Sequence, residues 1–393
     1  MICIDCLNIS LNRLLLLTIG LWPYQQSTLV RLQFFLFFGI LTTAILFQFT
    51  VLFTFKYTLN LLIEVLSSAL FFAVLAIKYF SFNFKIEIIK CLLEQLQHMY
   101  NELIDKNEID IIKKHANFAK RYAIALILLF ILSASTLSLC YFWPLIFNIL
   151  FSTNVTQLRP MPIMFKYFID QEKYFYLILF HSFAAFIIGW TAIIATGAML
   201  IIYVKYVCGM FQIASYRITR VMTFKNQENK KLQNENLICK KIIHAVDMQR
   251  KAMQFGDKFT STFHITFCVM IIIGIICASL NLFQICQIIS FEYDTVKLTL
   301  NGGFFIPLFS YMIISNYCAQ EMTDYSNDIY DAVYSIQWYT APIKIQKIIL
   351  FLLQRSTKVF HIEVGGIFVA SLQGAATMLS TIISYFTVLY SVK

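Results

Sequence analysis

Apolar residues gather into seven long runs, and charged residues return between them. The runs cover approximately residues 29–55, 59–80, 118–143, 174–207, 259–289, 303–322 and 365–392. Crossing the hydrocarbon core of a bilayer takes about 20 residues of helix, so each run predicts a membrane span. The fourth and fifth exceed that length, which predicts tilt or extension beyond the bilayer. The last run carries its polar residues in a stripe. Gln373, Thr377, Thr381, Ser384 and Ser391 recur at intervals that place them on one face of a helix. No charge lies between Glu363 and Lys393. A hydroxyl- and amide-bearing face inside a membrane needs a polar neighbour, either another helix or water. The first alternative makes the chain a scaffold, the second a channel.

The connections between runs also have helical periodicity. Ile86, Ile89, Leu93, Leu96 and Tyr100 share one face, with Glu87, Lys90 and Glu94 between them. Residues 216–258 alternate basic and apolar positions in the same way. Ile329, Val333 and Ile336 share a face within 324–339. Pro342 then breaks the helix, and 343–353 resumes it. These segments either extend the spans into solvent or form a helical layer that packs subunits together. Near the N-terminus, 13–22 is apolar but too short to span. It ends in Gly20-Leu21-Trp22-Pro23 rather than a small-residue cleavage site, which predicts a retained interfacial or re-entrant helix.

Composition agrees with a membrane protein. Of 393 residues, 59% are hydrophobic and 13% charged, against about 25% charged in ordinary soluble domains. The 39 Phe and 21 Tyr predict aromatic-walled cavities between helices. The net charge of +10 reads as topology, not as nucleic-acid binding. With alternating sides, one set of connections holds only Lys56, Arg159, Lys166, Lys173, Lys297 and Lys393 of the 31 Lys and Arg. The remainder fall with the N-terminus, which the positive-inside rule places in the cytoplasm, leaving the C-terminus outside. That orientation argues against a G-protein-coupled receptor, whose N-terminus is extracellular. It also leaves Asn154, in an Asn-Val-Thr triplet between the third and fourth spans, as an external glycosylation acceptor. Asn8 heads a similar triplet on the internal side.

Catalytic and metal signatures are missing from the sequence. It has no P-loop, GxGxxG, HExxH or paired intramembrane carboxylates, so neither an enzyme nor a bound cofactor is expected. Cys3 and Cys6 have CxxC spacing without a second pair. Glu64, near the outer end of the second span, reads as one half of an interfacial ion pair beside Lys56 or as a ligand contact. His181 and His264 read as packing residues.

The C-terminal 60 residues carry a specific constellation. It comprises Tyr334, Trp338-Tyr339, Pro342, Lys347, Leu350, Leu353, Arg355-Ser356, Lys358, Gly365-Gly366 and the segment from Ser384 to Leu389. This pattern, with Gly20-Leu21-Trp22-Pro23, resembles the insect odorant receptor family. The chain departs from that pattern at Val359-Phe360, where the family often has a proline. It also lacks the long fourth-to-fifth insertion of the family's shared co-receptor, and so looks like a ligand-tuned subunit.

The resemblance implies an all-α, seven-helix tetrameric cation channel in the plasma membrane of olfactory sensory neurons. Its partners would be the co-receptor, membrane lipid and a volatile or semi-volatile odorant. It implies four parts: an N-terminal region 1–28, a ligand-binding bundle 29–322, cytoplasmic anchor helices 323–364 and a pore helix 365–393. Val388 falls at the family's hydrophobic gate, with Ser391 and Val392 at neighbouring pore positions and Ser384 one turn below. Where this chain has Ser391, the family often carries an amide. A ring of valines closes a pore by dewetting, which agrees with Val388 continuing the polar stripe.

The family's pocket lies in the outer half of spans two to six. In this chain those halves offer Leu66, Leu70, Thr136, Leu139, Trp143, Phe180, Phe183, Ile276, Leu280, Phe304, Phe305 and Leu308. Two alternatives stay open from sequence. One is a gustatory-receptor-class channel acting without the co-receptor, the other a non-conducting scaffold or transporter.

Overall fold

The computed structural model describes residues 9–25, 27–54, 58–151, 173–223, 231–291, 294–336, 338–366 and 368–391. The elements are α1 (Ser10–Thr18), α2 (Thr28–Thr54), α3 (Leu59–Phe84), α4 (Ile86–Asn101), α5 (Lys106–Phe151), α6 (Phe175–Thr223), α7 (Lys231–Phe291), α8 (Thr295–Ser335), a 3₁₀ turn (Trp338–Thr340), α9 (Ile343–Ser356), β1 (Glu363–Val364), β2 (Phe368–Val369) and α10 (Leu372–Ser391). Seven of these helices, α2, α3, α5, α6, α7, α8 and α10, are long and apolar enough to cross a membrane.

At 1.5 Å per residue, the 61 residues of α7 reach about 90 Å, roughly three bilayer cores. The fifth span is therefore continuous with the amphipathic segment before it, whereas the segment after the second span is the separate helix α4. The sixth span and the segment after it form one helix, α8, which ends before Pro342. Pro342 caps α9 rather than lying inside it. A proline has no amide hydrogen to lose at a helix start, so this position costs nothing.

Helix α6 is the axis of the bundle. From Ala192 to Phe211 every residue is buried, and α6 touches α1, α2, α3, α5, α7 and α8. Small residues make this possible. A Cβ on Gly189 would lie 2.5 Å from the Leu75 side chain, and one on Gly197 would lie 2.9 Å from the Tyr311 ring. α1 docks into the bundle: Leu16, Ile19 and Leu21 are buried, and the Tyr79 hydroxyl donates to the Ile19 carbonyl at 2.9 Å. α4 buries Ile89, Leu92, Leu93 and Leu96, and the Tyr203 hydroxyl donates to the Ile89 carbonyl at 3.0 Å. Away from the apolar midsection, Arg217 of α6 grips Glu108 of α5 through two 2.7 Å bonds.

The last span requires a correction. Its apolar run begins at Gly365, but Gly365, Gly366 and residues 368–371 are not helical. Gly365 and Gly366 adopt φ of 68° and 69°, a left-handed conformation that side chains resist. They turn the chain so that Glu363 pairs with Val369 and Val364 with Phe368 in a small hairpin. α10 begins at Leu372, capped by the Ser371 hydroxyl, which accepts from the Gly374 amide at 3.0 Å. All five residues of the stripe remain on the helix.

Candidate ligand cavity and pore helix

A cavity of about 190 Å³ lies among α3, α6, α7 and α8, and the hairpin and α10 complete its wall. Phe71, Val74 and Lys78 of α3 are spaced to share one face and line it together. Trp190, Ile193 and Gly197 do the same on α6, and Leu308, Tyr311 and Asn316 come from α8. Pro307 sits inside α8 on this wall. Most of the lining is apolar or aromatic, which favours binding by burial and shape.

Met378 and Ile382, the two residues that α10 buries, both line this cavity. The Asn316 amide oxygen accepts from the Ser371 amide at 3.2 Å, and Gln320 accepts from the Leu372 amide at 3.4 Å. The cavity wall and the first turn of α10 are thus held by the same stretch of α8. Higher up, the Ser279 hydroxyl of α7 reaches the Ile382 carbonyl at 3.3 Å.

Apart from Phe386 and Leu389, which pack on Ile63, Leu280 and Phe283, the outer half of α10 and its polar stripe are largely exposed. Gln373, Thr377, Ser384, Val388 and Ser391 are exposed, Val388 by 58%. Thr377, Thr381 and Ser391 donate to carbonyls of their own helix at 2.8–3.0 Å. Self-satisfied hydroxyls leave the direction of the face to its other members. The Gln373 amide has no side-chain partner among the described residues, and burying such a group in lipid costs several kcal/mol. The stripe is not a seam within this subunit.

The sequence-predicted pocket residues occupy several places. Leu308 lines the cavity. Phe304 is buried beside it, with its ring 4.6 Å from that of Phe71, and Phe305 stacks on the lining residue Phe309 at 5.7 Å. Leu280 is buried with Ile63 and Phe283 in a separate cluster, on which Leu66, Leu70 and the α10 residues Phe386 and Leu389 pack. Thr136 is half-buried and donates to the Ser133 carbonyl at 2.9 Å. Phe183 is half-buried. Ile276, Leu139 and Phe180 are exposed by 39%, 60% and 74%. Trp143 lies in α5, but its side chain is outside the described set, and Asn154 and Val392 lie outside the described residues.

Sequence reasoning passed over Trp190, Tyr311, Asn316, Met378, Ile382 and above all Lys78. Lys78 falls near the end of its span, so the charge count assigned it to a solvated flank. It is instead 2% exposed. The available signal was its helical spacing from Phe71 and Val74. Glu64 has Lys297 and Asp294 among its charged neighbours; Lys56, beside which it was expected, lies outside the described residues. His181 bonds Thr43 at 3.0 Å.

Seven candidate spans, five of them meeting at an apolar cavity, define a multi-pass helical membrane protein. The chain belongs to the odorant receptor family: the 7tm Odorant receptor model matches residues 58–383. It is 28% identical over 181 residues to Odorant receptor 30a of Drosophila melanogaster. That match spans 46% of each chain, about half the length of the relative. The fold is similar to that of the insect olfactory receptor OR5 from Machilis hrabei in complex with eugenol. The TM-score is 0.79 at 14% identity, covering 98% of both chains. A second structure of the same receptor gives 0.78 at 15% identity, again over 98% of both chains. At such identities the likeness is one of fold. Its family is one of odorant receptors, not of enzymes.

Proposed function

We propose that the chain is a ligand-tuned odorant receptor subunit that joins the shared co-receptor in a tetrameric cation channel. It would sit in the plasma membrane of olfactory sensory neurons, N-terminus inside and C-terminus outside, as the basic residues favour. In this reading an odorant enters the cavity and opens a gate on α10. One observation carries it. The only side chains that α10 buries wall the cavity, while its polar stripe faces away from the subunit. A ligand therefore presses on the inner face of the helix whose outer face would line the pore. The eugenol complex of OR5 supports a ligand of odorant size. Leu66, Leu70, Leu280 and Phe304 would then act around the cavity and along α10, with Leu308 in direct contact.

The gate is tested at Val388. Val388→Ala thins the apolar ring and eases wetting. Co-expression with the co-receptor should show several-fold more ligand-free current at unchanged surface level. Unchanged resting and evoked currents would remove Val388 from the gate.

Assembly is supported by the other end of the molecule. Tyr334, Tyr339, Ile343, Leu350 and Phe351 are exposed by 50–72% beyond the spans, a surface that soluble monomers avoid. Phe351→Asp would put a charge into this face. Recovery of the co-receptor in a pull-down should drop by about tenfold, equivalent to roughly 1.4 kcal/mol. Wild-type recovery would place the interface elsewhere, and robust current without any co-receptor would favour the gustatory class.

A further inference from the structure

The cavity contains a cation with no counter-charge. The Lys78 side chain is 2% exposed, and its Nζ lies 5.5 Å from the Phe267 ring centre and 5.9 Å from that of Tyr311. Both rings line the cavity, and no carboxylate does among the described residues. The nearest charge along the chain is Lys85, just past the end of α3, which is of like sign and is itself bonded to the Thr262 carbonyl and, at 3.1 Å, to Thr266. Ring faces recover only about 0.5–2 kcal/mol for an ammonium, well short of the cost of burying it unpaired.

The second unpaired group of the lining is also a donor. The indole N–H of Trp190, 4% exposed, has no hydrogen-bond partner among the described residues. Of the other polar side chains in the lining, Asn316 and Ser315 are already occupied, while the Tyr311 hydroxyl is left to donate or accept. The Asn316 amide donates to the Met312 carbonyl at 2.9 Å while accepting from Ser371, and Ser315 donates to Met312 at 2.9 Å. What the cavity lacks, at its Lys78 end, is a negative acceptor.

Resting on the reading of this cavity as the odorant site, we propose that the subunit is tuned to small aliphatic carboxylic acids. The carboxylate pairs with Lys78, and the alkyl tail lies along Val74, Phe71 and Leu308 toward Trp190. Seven residues separate Phe71 from Lys78, about 10 Å of helix, which matches an extended six-carbon acid. The volume agrees. An apolar cavity of about 150 Å³ takes benzene, so about 190 Å³ holds a molecule of that size or slightly larger. A long-chain fatty acid from the bilayer does not fit. Acid and amine together carry one proton and no net charge, so the pair enters an apolar site that rejects either ion alone.

Direct binding tests this independently of channel current. The purified receptor–co-receptor assembly is titrated with hexanoate, hexan-1-ol, methyl pentanoate, hexylamine, oleate and chloride, following thermal protection. Hexanoate should bind about tenfold or more tightly than the alcohol or the ester. Lys78→Met should abolish that preference while keeping alcohol binding, and Lys78→Arg should retain part of it. Equal binding of alcohol and acid overturns the proposal. So does tighter binding of oleate, protection by chloride alone, or an acid preference that survives Lys78→Met. If Lys78→Met does not fold, the wild-type ranking and Lys78→Arg decide. Absence of any evoked current alongside intact acid-selective binding would count against the channel reading and leave this one standing.

Discussion

Replacing Glu321 by alanine should destabilise the folded subunit by about 3–5 kcal/mol, the usual cost of breaking a buried ion pair from one side. Lys205 is 1% exposed and its ammonium bonds the Glu321 carboxylate, joining α6 to α8. Tyr122 and Phe118 of α5 cover the same ammonium, with ring centres at 4.9 and 5.6 Å. Without the carboxylate the charge would face only two rings, which offset about 0.5–2 kcal/mol. The variant should therefore reach the cell surface poorly and melt early in detergent. Lys205→Met with Glu321→Leu removes both charges and should regain most of the loss, because apolar replacement of a whole buried pair is often neutral. The exposed Arg250–Asp247 pair on α7 is the contrast. Asp247→Ala should cost under about 1 kcal/mol. A Glu321→Ala protein with wild-type melting would show that the pair does not hold α6 to α8.

The difference between these two pairs was not legible in the sequence, and the same limit explains the cavity. Lys205 and Lys78 both entered the charge count as flanking cations, since burial depends on which helices surround a position. Spans were easy to find because about 20 apolar residues are diagnostic by themselves. Faces were not. α2 is apolar all round, and α6 is buried all round from Ala192 to Phe211, so periodicity favours no side of either stretch. Phe180 and Leu139 illustrate the cost, being aromatic and aliphatic residues at the expected depth that point outward. The stripe on α10 was legible because hydroxyls and one amide interrupt an apolar helix at helical spacing. Its outward direction needed the packing of Met378 and Ile382. The start of α10 was misplaced because hydropathy is blind to a hairpin with two residues per strand. Gly365-Gly366 between Val364 and Phe368 was the turn signal in the sequence.

That hairpin sets the second large effect. Gly374→Ala should disturb gating more than any other single methyl added to α10. A Cβ at Gly374 would lie 2.3 Å from the Val369 carbonyl oxygen and 2.8 Å from the Phe368 ring. The ring can turn aside, but the carbonyl cannot, since Val369 is held in the ladder with Glu363. The start of α10 must then move by about 1 Å, an overpacking cost of about 1–3 kcal/mol. The movement loads the bonds from Ser371 to Asn316 and from Leu372 to Gln320, the same residues that join α10 to the cavity wall. If shut and open states share that cost unequally, the odorant concentration for half-maximal current shifts by roughly 5–150-fold. Phe368→Leu should not rescue it, because the carbonyl contact remains. Gly256→Ala makes the opposite case. The three atoms nearest its Cβ all belong to the Phe360 ring, the closest at 2.6 Å, so Phe360→Leu should restore that variant. A Gly374→Ala receptor with a wild-type dose–response curve would mean that α10 gates without its seat on the hairpin.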